Sequence, residues 1–167
     1  MSFRGQTRVL SSWKWEDDTV TDIDSNSRVT QITEGSGSGE GSGSWKATEQ
    51  VLTSGSSITY DLTALPRVLF GASITYAFSR VIAIHITSEE DSVGDLRIGG
   101  AASDVWELFV DDTDKIDLEP DNDFLLTNYA SGRVVDSSNK NLKLEALSGD
   151  VTYTISIIGN VEVASGS

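Results

Sequence analysis

The sequence has no cysteine, one histidine and two prolines among its 167 residues. Without cysteine there is no disulfide framework, no thiolate metal site and no thiol nucleophile. That absence suits a chain folding in a reducing interior, although extracellular bacterial proteins also do without cysteine. The lone His85 cannot build a metal centre from imidazole ligands, and no Cys exists to pair with it. The Gly-x-Ser-x-Gly nucleophile elbow, the phosphate-cradling P-loop and the His-Glu-x-x-His zinc motif are all missing from the sequence.

Long hydrophobic runs are absent too. The richest stretch, Val81-Ile82-Ala83-Ile84-His85-Ile86, has the length of a strand, well short of the roughly 18 apolar residues that mark a spanning helix. No apolar run follows Met1-Ser2-Phe3-Arg4-Gly5, so no secretory signal is expected, and no Asn-x-Ser/Thr acceptor occurs. Positive charge is scarce: 12 basic against 26 acidic residues give a net charge of −14. Such a surface repels phosphate backbones and anionic lipid, so neither nucleic acid nor membrane is an expected partner. It serves solubility, or docking onto a basic partner surface.

What the chain has in abundance is strand signal. Alternating apolar and polar residues, rich in β-branched and aromatic types, recur between turn residues every 8–12 positions. Strands are expected at 8–15, 28–33, 45–52, 57–62, 73–87, 96–98, 106–110, 115–118, 124–127, 133–136, 141–147 and 151–158. A polar turn is expected at Asp24-Ser25-Asn26-Ser27. The alternation of Ile74, Tyr76 and Phe78 is interrupted at Ser79-Arg80-Val81 before Ile82, Ile84 and Ile86, which implies a bulge or a bend between two sheets. His85 faces away from Ile82, Ile84 and Ile86, as a strand residue with a satisfied hydrogen bond. Pro66 places a turn or short helix start within 61–70. With no other helical signal, the expected fold class is all-β, an antiparallel β-sandwich of jelly-roll type with an N-terminal β-arm; an up-and-down barrel is the alternative.

Residues 35–44 read Gly-Ser-Gly-Ser-Gly-Glu-Gly-Ser-Gly-Ser, a composition with no side chains to bury, and an engineered tether would read the same way. The expected organisation is therefore a β-arm (1–34), a flexible linker (35–44), a sandwich body (45–159) and a C-terminal tail (160–167). A 34-residue arm is too short to fold alone and must lie on the body or on a neighbouring subunit. Trp13 and Trp15 share one face of it and are the expected arm contact.

Two acidic stretches are candidate sites: Glu89, Glu90 and Asp91, and the series Asp111, Asp112, Asp114, Asp117, Glu119, Asp121 and Asp123. Paired carboxylates are the only catalytic device such a sequence could host, as in glycosidases, but acids in turns ordinarily cap their own backbone. The same oxygens suit calcium, with Asp111, Asp112, Asp114, Asp121 and Asp123 as candidate ligands, although Asp121-Asn122-Asp123 lacks the glycine and closing glutamate of an EF-hand loop. No other cofactor is expected. Trp13, Trp15 and Tyr129 are candidate stacking residues for a sugar, whereas Trp45 and Trp106 are expected to pack in the core.

Several stretches carry a resemblance: Trp45-Lys46-Ala47-Thr48, Thr59-Tyr60-Asp61-Leu62-Thr63-Ala64-Leu65, Leu96-Arg97-Ile98-Gly99-Gly100-Ala101-Ala102, Asn141-Leu142-Lys143-Leu144 and Thr152-Tyr153-Thr154-Ile155-Ser156-Ile157-Ile158-Gly159. Together they resemble the small β-sandwich auxiliary proteins of tailed-bacteriophage heads, of the decoration or head-fibre-base type. The resemblance implies a non-enzymatic virion component, assembled in the host cytoplasm and docked on the capsid lattice as a homotrimer. Its partner would be the major capsid protein or another virion protein, clasped by the N-terminal arm. A carbohydrate- or receptor-binding module of the same fold class is the alternative, and an acid-pair glycosidase comes last.

Overall fold

A computed structural model describes the backbone of residues 5–16, 21–34, 40–69, 72–108, 111, 113–128 and 130–165, and the side chains of 40–68, 73–108, 111, 113–128 and 130–162. Among the described residues there is no helix. The strands are β1 (Gly5–Glu16), β2 (Thr21–Glu34), β3 (Glu40–Gly41), β4 (Gly43–Leu52), β5 (Ser57–Asp61), β6 (Leu65–Leu69), β7 (Ala72–Ser88), β8 (Leu96–Gly99), β9 (Lys115–Leu118), β10 (Asn122–Thr127), β11 (Arg133–Val134), β12 (Asn141–Ala146) and β13 (Val151–Ser165).

Two antiparallel sheets form a β-sandwich. One runs β10-β7-β13-β4, with β11 and β6 also paired to β7; the other runs β5-β12-β8-β9. The period-2 pattern explains why they face each other. Along β12 the residues Leu142, Leu144 and Ala146 are buried, and along β13 Val151, Tyr153, Ile155 and Ile157 are buried, while their neighbours are not. These side chains meet Phe78, Ile84 and Ile86 of β7 and Leu96 and Ile98 of β8 in one continuous core. Tyr60 of β5 and Tyr153 of β13 carry the only hydroxyl groups joined across it, 2.7 Å apart, among the described residues. Burial raises the pKa of both phenols, so each stays neutral and the pair can share its proton without charge.

The interruption in β7 is a double bulge within one sheet, not a crossing between sheets. The register with β13 passes from Ile158↔Ala83 to Gly159↔Val81 and from Asn160↔Arg80 to Val161↔Phe78, so Ile82 and Ser79 have no partner on β13. Ile82 consequently leaves the face of Ile84 and Ile86 and packs with Ala83 and Ile158 in a separate small cluster. His85 does lie opposite Ile84 and Ile86, but not opposite Ile82. At the bulge the chains approach closely. A Cβ on Gly159 would sit 2.0 Å from the Arg80 carbonyl oxygen.

Other expectations change for identifiable reasons. Residues 106–108 are not a strand: Val105 makes one isolated bridge to Asn141. Asp104 adopts a left-handed conformation (φ 48°), and its carbonyl accepts from both Lys140 and Asn141 N–H groups, which commits that backbone to a loop. Trp106 still fills the core at 1% exposure, donating Nε1–H to the Val134 carbonyl. Asp24–Ser27 belong to β2, paired with Trp13 to Leu10 of β1, because an unbroken ladder outweighs the turn preference of short polar residues. Pro66 sits in β6, a flank strand, where a missing N–H is tolerated; its carbonyl accepts from Trp45 Nε1. The turn expected nearby is confined to 62–64, where Asp61 accepts from the Thr63 amide and hydroxyl.

The Gly/Ser segment is not wholly a linker. Glu40–Gly41 pairs in parallel with Thr33 and Glu34 of β2, and Gly43 and Ser44 belong to β4. Gly43 is required there because a Cβ would meet Val161 Cγ1 at 2.2 Å. Residues 160–165, expected as a tail, continue β13 along β7 as far as Ser165↔Ile74.

The tyrosine pair yields a testable expectation. Tyr153→Phe leaves the Tyr60 hydroxyl buried without its partner and should cost about 1–3 kcal/mol in urea unfolding, whereas Tyr60→Phe with Tyr153→Phe should recover most of it. Strict additivity of the two single changes would refute the coupling. Gly159→Ala should separately lose about 1–3 kcal/mol through overpacking against β7, measured the same way.

Candidate functional site

A groove of about 710 Å³ opens at the end of the sandwich where β4 and the turn after β7 converge. Glu49 and Val51 line it from β4, Thr152 from β13, and Glu89, Glu90 and Asp91 from the turn. Its shape originates in β4. The register with β13 runs from Tyr153↔Gln50 to Ile155↔Ala47, so Thr48 and Glu49 together face Thr154. Glu49 takes a left-handed conformation (φ 51°) at this bulge. The bulge swings Val51 outward to 65% exposure. Thr154 holds the corner, accepting from the Glu49 N–H at 3.3 Å and donating to Glu89 Oε1 at 2.7 Å.

Sequence reasoning found the turn acids but not Glu49 or Val51. A signal was present: alternation fails from Thr48 to Val51, where four consecutive residues are exposed and only Leu52 returns to the core.

The described candidate calcium ligands do not gather into one group. Asp111 Oδ1 accepts from the Thr113 amide (2.9 Å) and hydroxyl (2.7 Å), and Asp114 Oδ2 accepts from the Asp111 amide (3.1 Å), so these carboxylates cap their own turn. Asp121 occupies the turn before β10 in a left-handed conformation (φ 59°). Asp123 on β10 accepts from Thr87 Oγ1 at 2.7 Å and bonds His85 Nε2 at 2.9 Å. Asp112 lies outside the described residues. Among those described, no three His, Asp or Glu side chains converge as an ion would require.

Trp13 and Trp15 occupy alternate positions of β1, opposite Asp24 and Asp22; their side chains, and Tyr129 altogether, lie outside the described residues. The other aromatic candidates are accounted for. Trp45, Trp106, Tyr60, Tyr76 and Tyr153 are all buried, and Trp45 meets Tyr60 edge-on at 5.3 Å.

Ser156 is the cross-strand partner of His85, which binds Asp123 of β10 diagonally, so serine, histidine and aspartate are neighbours on one face. No hydrogen bond joins Ser156 to His85 among the described residues, and His85 and Asp123 are half exposed on an open sheet face. Nucleophile activation needs that contact and a water-poor setting. Among the described residues, the carboxyl groups with a shifted pKa are all lowered, each by a cationic or hydrogen-bonding neighbour. Burial works against ionisation of Asp61, but Lys140 and Thr63 outweigh it and hold its pKa below the usual carboxylate range. Arg97 lowers Asp117 through a two-pronged ion pair at 2.7 and 2.8 Å, and Lys143 lowers Glu145. These are ion pairs between strands and turns, not paired acids across a cleft.

A group with a depressed folded pKa adds stability above its unfolded pKa of about 4 and loses it as pH falls toward the folded value. The urea midpoint should therefore hold between pH 7 and about 5 and drop below about pH 4. Asp61→Asn should flatten that acid limb; an unchanged limb would show that Asp61 does not contribute.

Comparison with known proteins supplies no relative: no family model, no curated protein and no solved structure matches the chain.

Proposed function

We propose that the chain is a non-enzymatic structural protein of a tailed-phage virion, docking as a homo-oligomer on the capsid shell through its N-terminal β-arm. The observation that carries this reading is a division of labour in the backbone. β1 and β2 pair with each other over twelve positions, from Gly5↔Ile32 to Glu16↔Thr21, and with no strand of the sandwich. Their one further pairing is β2 with β3, which stands next to β4 at the root of the body. An isolated two-stranded ribbon is marginal in water, so a long one suits a partner surface.

The body is read as a jelly roll. Leaving aside β6 and β11, which pair only with β7, and the β8–β9 hairpin, the chain alternates between sheets in the sequence β4, β5, β7, β8, β9, β10, β12, β13. The resulting orders β4-β13-β7-β10 and β5-β12-β8-β9 are those of two interlocked Greek keys. A rigid sandwich with an open acidic groove and no assembled catalytic group among the described residues fits a protein that binds through surfaces. The carbohydrate- or receptor-binding alternative would rest on Trp13, Trp15 and Tyr129 alone, since the other aromatic candidates are buried.

If this reading holds, the purified protein co-sediments with expanded phage capsids, and removal of residues 1–34 abolishes co-sedimentation while circular dichroism and the unfolding midpoint of the body barely change. Failure of the intact chain to bind any shell, together with glycan-array binding lost on Trp13→Ala or Trp15→Ala, would instead establish the alternative.

A further inference from the structure

Two surface patches on the six-stranded sheet carry groups of opposite charge. On the β7 flank, Arg80 is the cross-strand partner of Val134, and Arg133 lies beside it opposite Val81. Arg80 is exposed, and Val134 is 48% exposed. Their guanidinium groups donate only to carbonyl oxygens, Arg80 Nη1 to Ser131 and Arg133 Nη1 to Glu107, each at 2.8 Å. Arg133 Nε is buried without a partner. Neither arginine forms an ion pair with a described residue, whereas Arg97, Lys140 and Lys143 each do. Where β4 meets the turn after β7 lies the groove with Glu49, Glu89, Glu90 and Asp91 around Val51, and these four acids likewise have no described cationic partner.

Within one chain the two patches cannot neutralise each other. Arg80 and the end of β7 at Ser88 are separated by roughly 25 Å of extended strand, about three screening lengths at physiological salt.

We propose that they meet between copies: the Arg80, Arg133 and Val134 flank of one chain seats in the Glu49, Glu89, Glu90 and Asp91 groove of a second copy of this chain. Such a contact is head-to-tail, so every copy uses both patches and the assembly closes into a ring when the rotation allows. A two-fold contact through either patch alone would set like charges together, which disfavours it. Val134 and Val51, both solvent-exposed in the single chain, supply the apolar centre that charge alone lacks. The contact deepens the oligomeric reading of the function above but stands on its own observations.

Sedimentation velocity on the full chain tests it. The wild type should self-associate with an affinity that falls as salt rises. Arg80→Glu with Arg133→Glu should weaken association roughly tenfold or more, and adding Glu90→Arg and Asp91→Arg to the same chain should restore it to within a few-fold. Because Arg133 is partly buried, Arg80→Glu alone serves as the second variant, with circular dichroism confirming the fold of each. A wild-type monomer at all concentrations, or association indifferent to Arg80→Glu, overturns the contact. Association lost only on removing residues 1–34 also overturns it while leaving the shell-docking reading intact. Salt-sensitive association through these flanks in a protein that ignores capsids does the reverse.

Discussion

β7 and β13 are the longest strands, and every other strand of the six-stranded sheet hydrogen-bonds to one of them: β10, β11 and β6 to β7, and β4 to β13. Their mutual register therefore places the rest. It is fixed by hydrophobic pattern, because a slip of one residue would move Ile155, Ile157, Ile84 and Ile86 from the core to solvent. It is also fixed by the bulges between Ile158 and Val161, where only a residue without a side chain at Gly159 lets β13 reach the Arg80 carbonyl. A bulged strand twists more strongly, and that twist carries the β6 end of β7 around the core. Trp45 of β4 consequently reaches the Pro66 carbonyl of β6, at the other end of the strand order.

The second sheet is held to the first mostly by apolar contact, which is non-directional, so something must specify alignment. Tyr60 and Tyr153 do so, because their shared hydrogen bond has one acceptable geometry in a site that excludes water. Trp45 packs its edge on Tyr60 and anchors its own indole N–H on β6. Trp106 does the same at another edge of the core, through the Val134 carbonyl. Each large aromatic thus fills volume with its ring and fixes orientation with its polar atom.

Fold class was legible in the sequence because alternation is a local signal that burial on one face makes strict. The lengths of β9 and β12 follow from it almost residue for residue. What was not legible depends on partners distant in sequence. Trp106 reads as part of an apolar strand, yet the Asp104 carbonyl, engaged by Lys140 and Asn141 from far along the chain, turns that segment into a loop. Gly43 reads as linker, and only Val161 on β13 makes it a packing residue. The groove was half legible for the same reason: Glu89, Glu90 and Asp91 announce a turn, but Glu49 and Val51 join them only through the bulge against Thr154.

Charge follows the same division between local and distant partners. Several described cations are satisfied nearby on the sandwich: Arg97 by Asp117 on the adjacent strand, Lys143 by Glu145 two residues on, Lys140 by Asp61 on the neighbouring strand. Pairs of this kind contribute modestly to stability, whereas an arginine without a carboxylate partner on a chain of net charge −14 stays open to an acidic surface. Arg80 and Arg133 are held in place by carbonyl oxygens, which orient a guanidinium without neutralising it. An oriented, uncompensated cation beside an exposed valine has the makings of a contact rather than of a solvated surface. The bulge at Glu49 completes the arrangement, since it disrupts the β4 ladder against strand addition while opening the groove that takes charge.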